Sequence, residues 1–362
     1  MIETVLIDEN IPFLPDIIKQ KYKVQTIIGR KLTKQHLLDT NCSALFVRST
    51  TIVDKDLLEG TAVKFIATAT SGSDHIDKEY LTTSGIYFAD ALGSNSNSVA
   101  EYVIFAILHC ILLRNQQVNN RSFGIVGFGN IGSKLAYYAN QLGFKVYVND
   151  PPLCDNNFQF PDYCIYLDLD ELIAASDIVT NHVPLDNSSQ YKTVDLFNSD
   201  NLSKCKSDAI FVHCSRGRVV NEEALSELLI NSPEMQLVID VFADEPQIHE
   251  YLSGRAVIAT PHIAGYSRNG KLNGVMMVLD AFEKFTGESF DKSIIASEYR
   301  ETTFRNECIS EDFVYQKIEE YRKIVSDSAT FKHIISLNKS ERMQEFDRQR
   351  KEYPARFEYL KI

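Results

Sequence analysis

The stretch FGIVGFGNIGSKLAYYANQLGFKVYVND, residues 123–150, decides the fold. Its apolar start is typical of a buried strand, the segment after the glycines has helical spacing, and a second strand-like run ends in an acid. Gly127 permits a tight turn after the first strand, Gly129 lets a pyrophosphate approach the backbone, and Gly132 permits close packing of helix on strand. This order of elements predicts a dinucleotide-binding site.

The acid that ends this stretch indicates which dinucleotide binds. Asp150 lies 18 residues beyond Gly132, where a carboxylate accepts hydrogen bonds from the ribose hydroxyls of NAD. The same carboxylate would repel the 2′-phosphate of NADP. The amides of Asn130 and Ile131, at the start of the helix, are expected to bind the phosphates. The sequence therefore predicts NAD as the cofactor, and it predicts no metal site.

Strand-like and helical segments alternate along most of the chain in two series. Short runs rich in β-branched and aromatic residues are typical of parallel strands that helices cover on both faces. The first series comprises residues 4–8, 44–49, 64–70 and 86–89, and the second comprises residues 123–129, 145–150, 177–184, 209–217, 236–246 and 257–262. This alternation predicts an α/β protein with two doubly wound parallel-sheet domains.

Three further segments complete the predicted organisation. Residues 98–117 are apolar on most sides, which indicates a long helix buried at a domain or subunit boundary. Residues 270–285 form another predicted helix, which returns the chain to the first domain. From residue 288 the chain becomes highly charged, with an amphipathic run at 313–325. We expect a small appended domain whose apolar stripe is covered by a partner.

Composition and charge exclude several classes of protein. The 362 residues carry a formal net charge of −12, and an isoelectric point near 5.2 argues against nucleic-acid binding. The first ten residues lack the basic region of a signal peptide, and the apolar run 102–113 is interrupted by His109 and too short to cross a bilayer. Seven scattered cysteines without a CxxC pair favour reduced thiols. The sequence predicts a cytoplasmic protein that binds neither membranes nor nucleic acid.

Several residues with functional potential follow the predicted strands, and ligands of open α/β sheets bind beyond the carboxyl ends of strands. These residues are Ser49, Thr70, Val183, Arg216, Asp240, Glu245 and His262. An arginine would bind a substrate carboxylate in bidentate fashion, and a histidine would remove a hydroxyl proton. A neighbouring carboxylate would stabilise the charged histidine. Arg216, Glu245 and His262 are therefore the predicted catalytic residues of a 2-hydroxy acid oxidation.

Each of the three catalytic candidates has an ordinary structural interpretation when it is taken alone. Arg216 is consistent with a surface loop charge, Glu245 with an acid at a helix start, and His262 with a satisfied core histidine. All three occur together after a dinucleotide-binding stretch. This combination favours the catalytic interpretation.

With these motifs the sequence resembles the D-isomer-specific 2-hydroxyacid dehydrogenases. The arginine, glutamate and histidine of that family match Arg216 in SRG, Glu245 in DEP and His262 in PHIAG. The resemblance implies three domains and a homodimer. The domains are a flavodoxin-like substrate domain (residues 1–95 and 267–287), an NAD-binding Rossmann domain (96–266) and a small C-terminal α+β dimerisation domain (288–362).

The resemblance also implies roles for individual residues. Ser49, Thr70 and Tyr266 would contact the substrate, and Asp150, Asp240 and Gly265 would contact NAD. One position departs from the family pattern, because Val183 stands where the family has an NAD-contacting threonine. A backbone contact is expected there, without the hydrogen bond from a side chain.

Further motifs resemble one branch of the family, which acts on a small phosphorylated 2-hydroxy acid of four carbons. They are LIDENIP, VRSTT, FIATATSGSDHID, NDPP, HIAGYS and RKEYPARFEY. Such a substrate carries about three negative charges, so an acidic protein must supply local cations. Arg48 is the candidate for the phosphate. A basic cluster near the end of the chain is consistent with a second phosphate contact or with a solvated helix face; it comprises Arg348, Arg350, Lys351 and Arg356.

Two other functions stay open at this point. One is the oxidation of a different D-2-hydroxy acid, such as 3-phosphoglycerate. The other is an NAD-sensing binding protein, because the transcriptional corepressors of this family keep the same arginine, glutamate and histidine.

Overall fold

The computed structural model describes residues 2–299, 310–354 and 356–360. These residues divide into two compact units. Unit 1 takes the described residues within Met1–Asn95 and Ser267–Glu301, and unit 2 takes those within Ser96–Tyr266 and Thr302–Ile362. The predicted C-terminal segment 288–362 is therefore divided, since its described residues up to 299 lie in unit 1 and those from 310 onward lie in unit 2.

The described residues form twelve strands, which are listed in chain order. They are β1 (Thr4–Asp8), β2 (Lys23–Ile27), β3 (Cys42–Val47), β4 (Phe65–Thr68), β5 (Tyr87–Asp90), β6 (Ser122–Val126), β7 (Lys145–Asn149), β8 (Cys164–Tyr166), β9 (Ile178–Asn181), β10 (Ile210–His213), β11 (Gln236–Ile239) and β12 (Ile258–Ala259).

Sixteen α-helices lie between and after these strands in the described part of the chain. They are α1 (Leu14–Ile18), α2 (Lys34–Asp39), α3 (Lys55–Leu58), α4 (Lys78–Thr83), α5 (Ser96–Leu113), α6 (Gly132–Gln141), α7 (Pro151–Asp155), α8 (Leu169–Ala175), α9 (Ser199–Leu202), α10 (Glu222–Asn231), α11 (Glu250–Arg255), α12 (Arg268–Thr286), α13 (Ser293–Ala296), α14 (Glu311–Arg322), α15 (Ile324–Lys332) and α16 (Lys339–Lys351). Short 3₁₀ helices cover Gly29–Lys31, Gly217–Val219 and His333–Ser336.

Unit 1 is built on a five-stranded sheet in the order β2-β1-β3-β4-β5, with every pair parallel. This is the doubly wound order of flavodoxin-like folds. Helix α12 returns to this unit as predicted, and the ring of Phe282 lies 5.3 Å from that of Phe46 and 5.0 Å from that of Phe65. The edge strand β2, whose residues are half-buried or exposed, was not predicted from the sequence.

Unit 2 is built on a seven-stranded sheet in the order β12-β11-β10-β9-β6-β7-β8, again entirely parallel. Its strand order reverses between β6 and β9, where Val126 is paired with Asn181. Dinucleotides bind at such a switch point in Rossmann folds, beyond the carboxyl ends of the strands. The fingerprint glycines directly follow β6, so the fold places them at that crevice.

Helix α5 is the long apolar helix that the sequence predicted. By length and composition it could cross a membrane, but 78% of it is buried inside the described structure. It packs within unit 2 against α6, β10 and α14, and Tyr102 and Phe105 have no exposed surface. Its apolar composition is thus explained by burial in the core of unit 2. The helix begins at Ser96, where unit 2 begins in the sequence, and a place at a subunit boundary stays a prediction.

The C-terminal residues 310–354 and 356–360 form α14, α15, a 3₁₀ helix and α16, with no strand among them. The predicted α+β character is therefore not found in this part of the chain. The predicted apolar run 313–325 breaks at Lys323, whose φ is 55°. Its buried face meets α5 of the same chain, where the ring of Tyr315 stacks on that of Phe105 at 5.0 Å. The buried part of this run therefore packs within the chain, while Phe313 and Tyr321 stay exposed, and coverage by a second subunit stays a prediction.

The C-terminal helices also protect the edge of the second sheet. Strand β12 is the outermost strand, and its Ala259 N–H donates to Ser328 Oγ of α15 at 3.0 Å. Lys332 Nζ donates to the Val257 carbonyl at 3.3 Å. Covering an edge strand in this way satisfies its backbone groups, which explains why the segment belongs to unit 2.

Candidate active site

The glycine turn after β6 has the geometry that its sequence predicted. Gly127 has a φ of 92°, a left-handed value that L side chains rarely adopt. A Cβ at Gly132 would lie 1.9 Å from the Gly127 carbonyl oxygen, so helix α6 can approach the turn only with glycine there. A Cβ at Gly129 would meet nothing within 4 Å, and Gly129 and Asn130 are exposed. The backbone here is open to a ligand, as a pyrophosphate site requires.

Asp150 directly follows β7 and lies beside this turn. Its Oδ2 accepts a hydrogen bond from the Phe128 N–H at 2.8 Å, and its Oδ1 accepts one from Leu153 N–H at 3.1 Å. Each carboxylate oxygen has two lone pairs, so both oxygens retain capacity for further donors. The bond from Phe128 N–H places the Asp150 carboxylate beside the glycine turn. A ribose next to the pyrophosphate would lie at this position.

Val183 borders the same turn from the far side of the switch point. Its Cγ1 would lie 3.0 Å from a Cβ at Gly127, so the aliphatic side chain packs close to the glycine backbone. No hydroxyl is available at this position. The cofactor contact expected at Val183 is therefore limited to its backbone, and it stays a prediction.

The three predicted catalytic residues follow three neighbouring strands. Arg216 comes after β10, Glu245 after β11 and His262 after β12, and these strands are adjacent and parallel. The carboxyl ends of parallel strands lie at one edge of the sheet, so all three residues belong to that edge of unit 2. Arg216 is half-buried, and its Nη1 donates to the Ser215 carbonyl at 3.0 Å.

Glu245 and His262 form a direct pair. His262 Nδ1 lies 2.8 Å from Glu245 Oε2, and the second oxygen, Oε1, accepts a hydrogen bond from the Phe242 N–H at 3.0 Å. Burial would raise the pKa of Glu245, but the charge and hydrogen bond of His262, the charge of Arg350 and the Phe242 bond lower it overall. An ionised carboxylate only accepts hydrogen bonds. His262 Nδ1 therefore carries the proton, and Nε2 is the nitrogen that can accept one.

The backbone around His262 is held in an unusual conformation by Asp240. His262 has a φ of 57°, in the left-handed region that non-glycine residues adopt only in a small fraction of cases. Asp240 Oδ1 accepts from Ile263 N–H at 2.8 Å and Oδ2 accepts from Ala264 N–H at 3.0 Å. Burial raises the pKa of Asp240 to about 6, although His262, Thr260 and these amides act in the opposite sense. Asp240 thus organises the loop that carries His262, and its direct contact with NAD stays a prediction.

Two residues that support this loop were not singled out in the sequence. Thr260 Oγ1 donates to Asp240 Oδ1 at 2.6 Å and lies 2.6 Å from the hydroxyl of Tyr102 on α5. All three side chains are buried. Tyr102 lies 138 positions away from Asp240 in the sequence, so no local pattern could have indicated this chain of hydrogen bonds.

The predicted substrate residues Arg48, Ser49 and Thr70 all lie in unit 1. Ser49 is exposed and Arg48 is half-buried, just beyond the carboxyl end of β3. Thr70 Oγ1 lies 2.8 Å from Thr68 Oγ1, which in turn lies 3.1 Å from His75 Nε2. Burial lowers the pKa of His75 to about 4, so a neutral histidine supports the threonines.

A second cation accompanies Arg48 in unit 1. Lys271, near the start of α12, has a lowered pKa because it is buried and because the Arg48 charge lies nearby. Two cations close together favour an anionic ligand. Lys271 was not identified from the sequence, since it lies 223 positions beyond Arg48 in a segment that showed only helical periodicity.

The structure divides the predicted basic cluster into separate environments. Arg348 is exposed and forms ion pairs with Glu345 and Glu352 on its own helix. Arg356 pairs with Asp327. Arg350 points toward the catalytic edge, where its Nη2 donates to the Tyr266 hydroxyl at 3.3 Å. Arg348 therefore fits a solvated helix face, and the phosphate contact stays a prediction.

Comparisons with known proteins agree with this geometry. A family model, D-isomer specific 2-hydroxyacid dehydrogenase, NAD binding domain, matches residues 111–264. An erythronate-4-phosphate dehydrogenase of Stutzerimonas stutzeri is 34% identical over 358 residues, which is 98% of this chain and 92% of the relative. The enzyme of the same name from Escherichia coli O127:H6 is 33% identical over 362 residues, covering 99% and 93%. The chain belongs to the D-isomer specific 2-hydroxyacid dehydrogenases.

Solved structures of other proteins share the fold. A D-lactate dehydrogenase from Aquifex aeolicus in complex with NAD and lactic acid superposes with a TM-score of 0.66 at 23% identity, over 79% of this chain and 97% of that one. An NAD-bound 3-phosphoglycerate dehydrogenase from Entamoeba histolytica gives a TM-score of 0.66 at 20% identity, over 80% and 97%. The predictions of family, of two doubly wound domains and of NAD as cofactor are confirmed.

As a D-isomer specific 2-hydroxyacid dehydrogenase, the chain uses NAD as its redox partner, and the residues present fit this group. The open backbone at Gly129 and the carboxylate of Asp150 are the features on which a dinucleotide depends. Among the described residues, no group of three or more histidines, cysteines, aspartates or glutamates is placed to hold a metal ion.

Proposed function

We propose that this protein oxidises 4-phospho-D-erythronate with NAD to 3-hydroxy-2-oxo-4-phosphooxybutanoate, as a step of pyridoxal phosphate biosynthesis. The observation that carries the proposal is the 2.8 Å bond between His262 Nδ1 and Glu245 Oε2, in a chain that is 34% identical to an erythronate-4-phosphate dehydrogenase over nearly its whole length. A paired histidine of this kind is the base that alcohol oxidation needs.

The chemistry assigned to the protein is proton removal and orientation. Arg216 binds the substrate carboxylate through its planar fork and draws electron density from the oxygen on C2. His262 Nε2 accepts the proton of the C2 hydroxyl as the C–O double bond forms. Glu245 stabilises the resulting imidazolium through the bond to Nδ1. NAD, when bound, supplies the acceptor for the hydrogen and electron pair that leave C2.

Residues at the cofactor side have distinct roles in this proposal. The amides of Gly129, Asn130, Ile131 and Gly132 would bind the pyrophosphate at the start of α6. Asp150 would hold the adenosine ribose, while Val183, Asp240 and Gly265 would border the nicotinamide half. Ser49, Thr70 and Tyr266 would contact the substrate, and Arg48 with Lys271 would add positive charge in unit 1.

The experiment that tests the proposal is a turnover assay on the purified full chain. Formation of NADH is followed at 340 nm with 4-phospho-D-erythronate, 3-phospho-D-glycerate and D-lactate as separate substrates. We expect kcat/KM to be highest for 4-phospho-D-erythronate. Preference for 3-phosphoglycerate would identify a different dehydrogenase, and tight NAD binding without turnover of any acid would identify a binding protein.

We further propose that the protein is a cytoplasmic homodimer. The support for the dimer is an exposed aromatic cluster in the C-terminal segment, formed by Phe313, Tyr321 and Tyr359. Phe313 and Tyr321 are 43% and 37% exposed, and both rings contact that of Tyr359. Exposed aromatic clusters are typical of protein interfaces. Light scattering after size exclusion should give twice the chain mass of 41.1 kDa, and Tyr321→Asp should weaken the dimer.

A further inference from the structure

Helix α16 is anchored directly behind the catalytic loop. Phe346 of this helix has no exposed surface, and its ring lies 6.4 Å from that of Phe242 and 5.9 Å from that of Phe331. The backbone N–H of Phe242 is the group that holds Glu245 Oε1. The position of α16 is therefore coupled by packing to the position of the catalytic glutamate.

Arg350 lies one helical turn beyond Phe346 and so shares its inward face. Its guanidinium lies 5.8 Å from the ring centres of both Phe346 and Tyr266. Its Nη2 donates to the Tyr266 hydroxyl at 3.3 Å, and its Nη1 lies 3.9 Å from Glu245 Oε2. The C-terminal segment thus places one positive charge beside the catalytic pair and beside the tyrosine that is expected to contact substrate.

The hydrogen-bonding capacity of this guanidinium is largely unused. The side chain is only 24% exposed, and a guanidinium has five N–H donors. The long bond to Tyr266 is its one hydrogen bond within the described residues, since 3.9 Å is too long for a bond to Glu245. Arg350 Nε is buried and has no hydrogen-bond partner among the described residues. Buried donors are nearly always satisfied in a functional state, so this arginine is expected to bind an oxyanion.

We propose that Arg350, together with the hydroxyl of Tyr266, recognises the phosphate of the substrate. This inference rests on the proposed function, because it takes a phosphorylated 2-hydroxy acid as the ligand. Arg216 is assigned to the substrate carboxylate. Arg350 is a further cation of unit 2 beside Glu245 and His262, and its guanidinium has N–H groups without hydrogen-bond partners in the described part of the chain. A guanidinium matches a phosphate by two parallel hydrogen bonds. Arg350 therefore determines specificity for phosphorylated substrates.

Other charged groups close to this position define the electrostatic setting. They are Glu245 and Asp240, which interact with Arg350 itself, and His262, His213 and Glu222, which interact with Glu245. Three of the five are acids, and an acidic environment without Arg350 would repel a phosphate. A lysine keeps the charge at this position but cannot form the bidentate contact.

The test compares the wild-type protein, Arg350→Ala, Arg350→Lys and the matched control Arg348→Ala. Arg348 lies two residues away on the same helix and forms only exposed ion pairs. The value of kcat/KM is measured with 4-phospho-D-erythronate and with unphosphorylated D-erythronate, and their ratio is the discrimination factor. We expect Arg350→Ala to lower this factor about 10- to 100-fold, as loss of hydrogen bonds to a charged group does. Arg350→Lys should give an intermediate value, and Arg348→Ala should keep the wild-type factor.

A discrimination factor that is unchanged in Arg350→Ala would overturn the inference, as would an equal loss with both substrates, which would indicate a purely positioning role. A large loss in Arg48→Ala with none in Arg350→Ala would place the phosphate in unit 1 and overturn it as well. Calorimetric binding of 4-phospho-D-erythronate to the NAD-loaded protein separates this outcome from the proposed function. If the wild type binds the acid without turnover, the proposed function is wrong, and the inference then stands or fails on whether Arg350→Ala weakens binding.

Discussion

Arg322 and Glu101 form an ion pair at 3.1 Å in which neither side chain has any exposed surface. The pair joins α14 to α5, and Arg322 Nη2 also donates to the Ala264 carbonyl at 3.1 Å, two residues before Tyr266. Glu101 Oε2 accepts from the N–H of Leu360 at 2.6 Å. Burial raises the pKa of Glu101 to about 7 even though the charge of Arg322 lowers it. One buried contact therefore connects the core helix, the C-terminal segment and the catalytic loop.

Removing one partner of this pair should destabilise the protein strongly. Arg322→Ala leaves a buried carboxylate without its counter-charge, which costs about 3–5 kcal/mol in the free energy of unfolding. Urea denaturation followed by circular dichroism measures the change. The double variant Arg322→Met with Glu101→Leu should lose much less, because no charge is then left buried. A single variant within about 1 kcal/mol of wild type would show that the pair contributes little.

Replacing His262 tests its assignment as the catalytic base. His262→Ala should lower kcat by about 10²- to 10⁴-fold, the usual effect of losing a general base. NAD affinity, measured by fluorescence titration, should stay unchanged, since the predicted pyrophosphate and ribose contacts lie at the glycine turn. The control is His333→Ala, which removes an exposed histidine of the same unit. Near-normal turnover in His262→Ala would show that His262 has a structural role and is not the catalytic base.

The pH dependence should report the charge of Glu245. Oxidation requires a neutral imidazole, and the lowered pKa of Glu245 keeps the carboxylate ionised, which stabilises the protonated imidazole. In Glu245→Gln this stabilisation is lost, so the neutral base persists to lower pH. The acidic limb of the kcat/KM profile should therefore move to lower pH, with a moderate fall in the plateau.

The effect of Glu245 on the pH profile must be distinguished from the titration of the buried Asp240. Burial raises the pKa of Asp240 to about 6, so this carboxyl group titrates within the pH range over which the profile is measured. The profile of Glu245→Gln is therefore also measured in an Asp240→Asn background, and Asp240→Asn alone shows the effect of replacing one of the two oxygens that hold the His262 loop. An acidic limb that stays in place in both backgrounds would contradict the assigned role of Glu245.

Asp150 should select NAD over NADP. A carboxylate facing a 2′-phosphate should cost at least about 1.4 kcal/mol, which is tenfold in affinity. The wild-type protein should therefore show kcat/KM for NAD at least about tenfold above that for NADP. Asp150→Asn keeps the size and one of the two oxygens that accept from Phe128 and Leu153 N–H but removes the charge. It should therefore narrow the difference in kcat/KM between NAD and NADP. Equal use of both cofactors by the wild type would refute the selection.

Much of the cofactor site could be predicted from the sequence because its signals are local. The turn at Gly127, the close packing at Gly132 and the acid at Asp150 depend on residues within one strand-helix-strand unit. The catalytic edge could also be predicted, since parallel strands bring their carboxyl ends together whatever their order. The edge strand β2 was missed because it mixes polar and apolar residues that are half-buried or exposed, and β8 was missed because it is only three residues long.

The sequence by itself determined the fold class, the dinucleotide fingerprint and the family, since each rests on backbone requirements or on short motifs. Only the tertiary structure decided which side chains of the C-terminal segment matter. Arg348 and Arg350 are two positions apart and so point to nearly opposite sides of α16, and the burial of Phe346 decides which side faces inward. In the same way, only the packing of α14 on α5 shows that the buried face of the run 313–325 is covered by its own chain, while Phe313 and Tyr321 stay exposed. Partners that are distant in the sequence leave no periodic or local signal, because their contact depends on how separate elements pack.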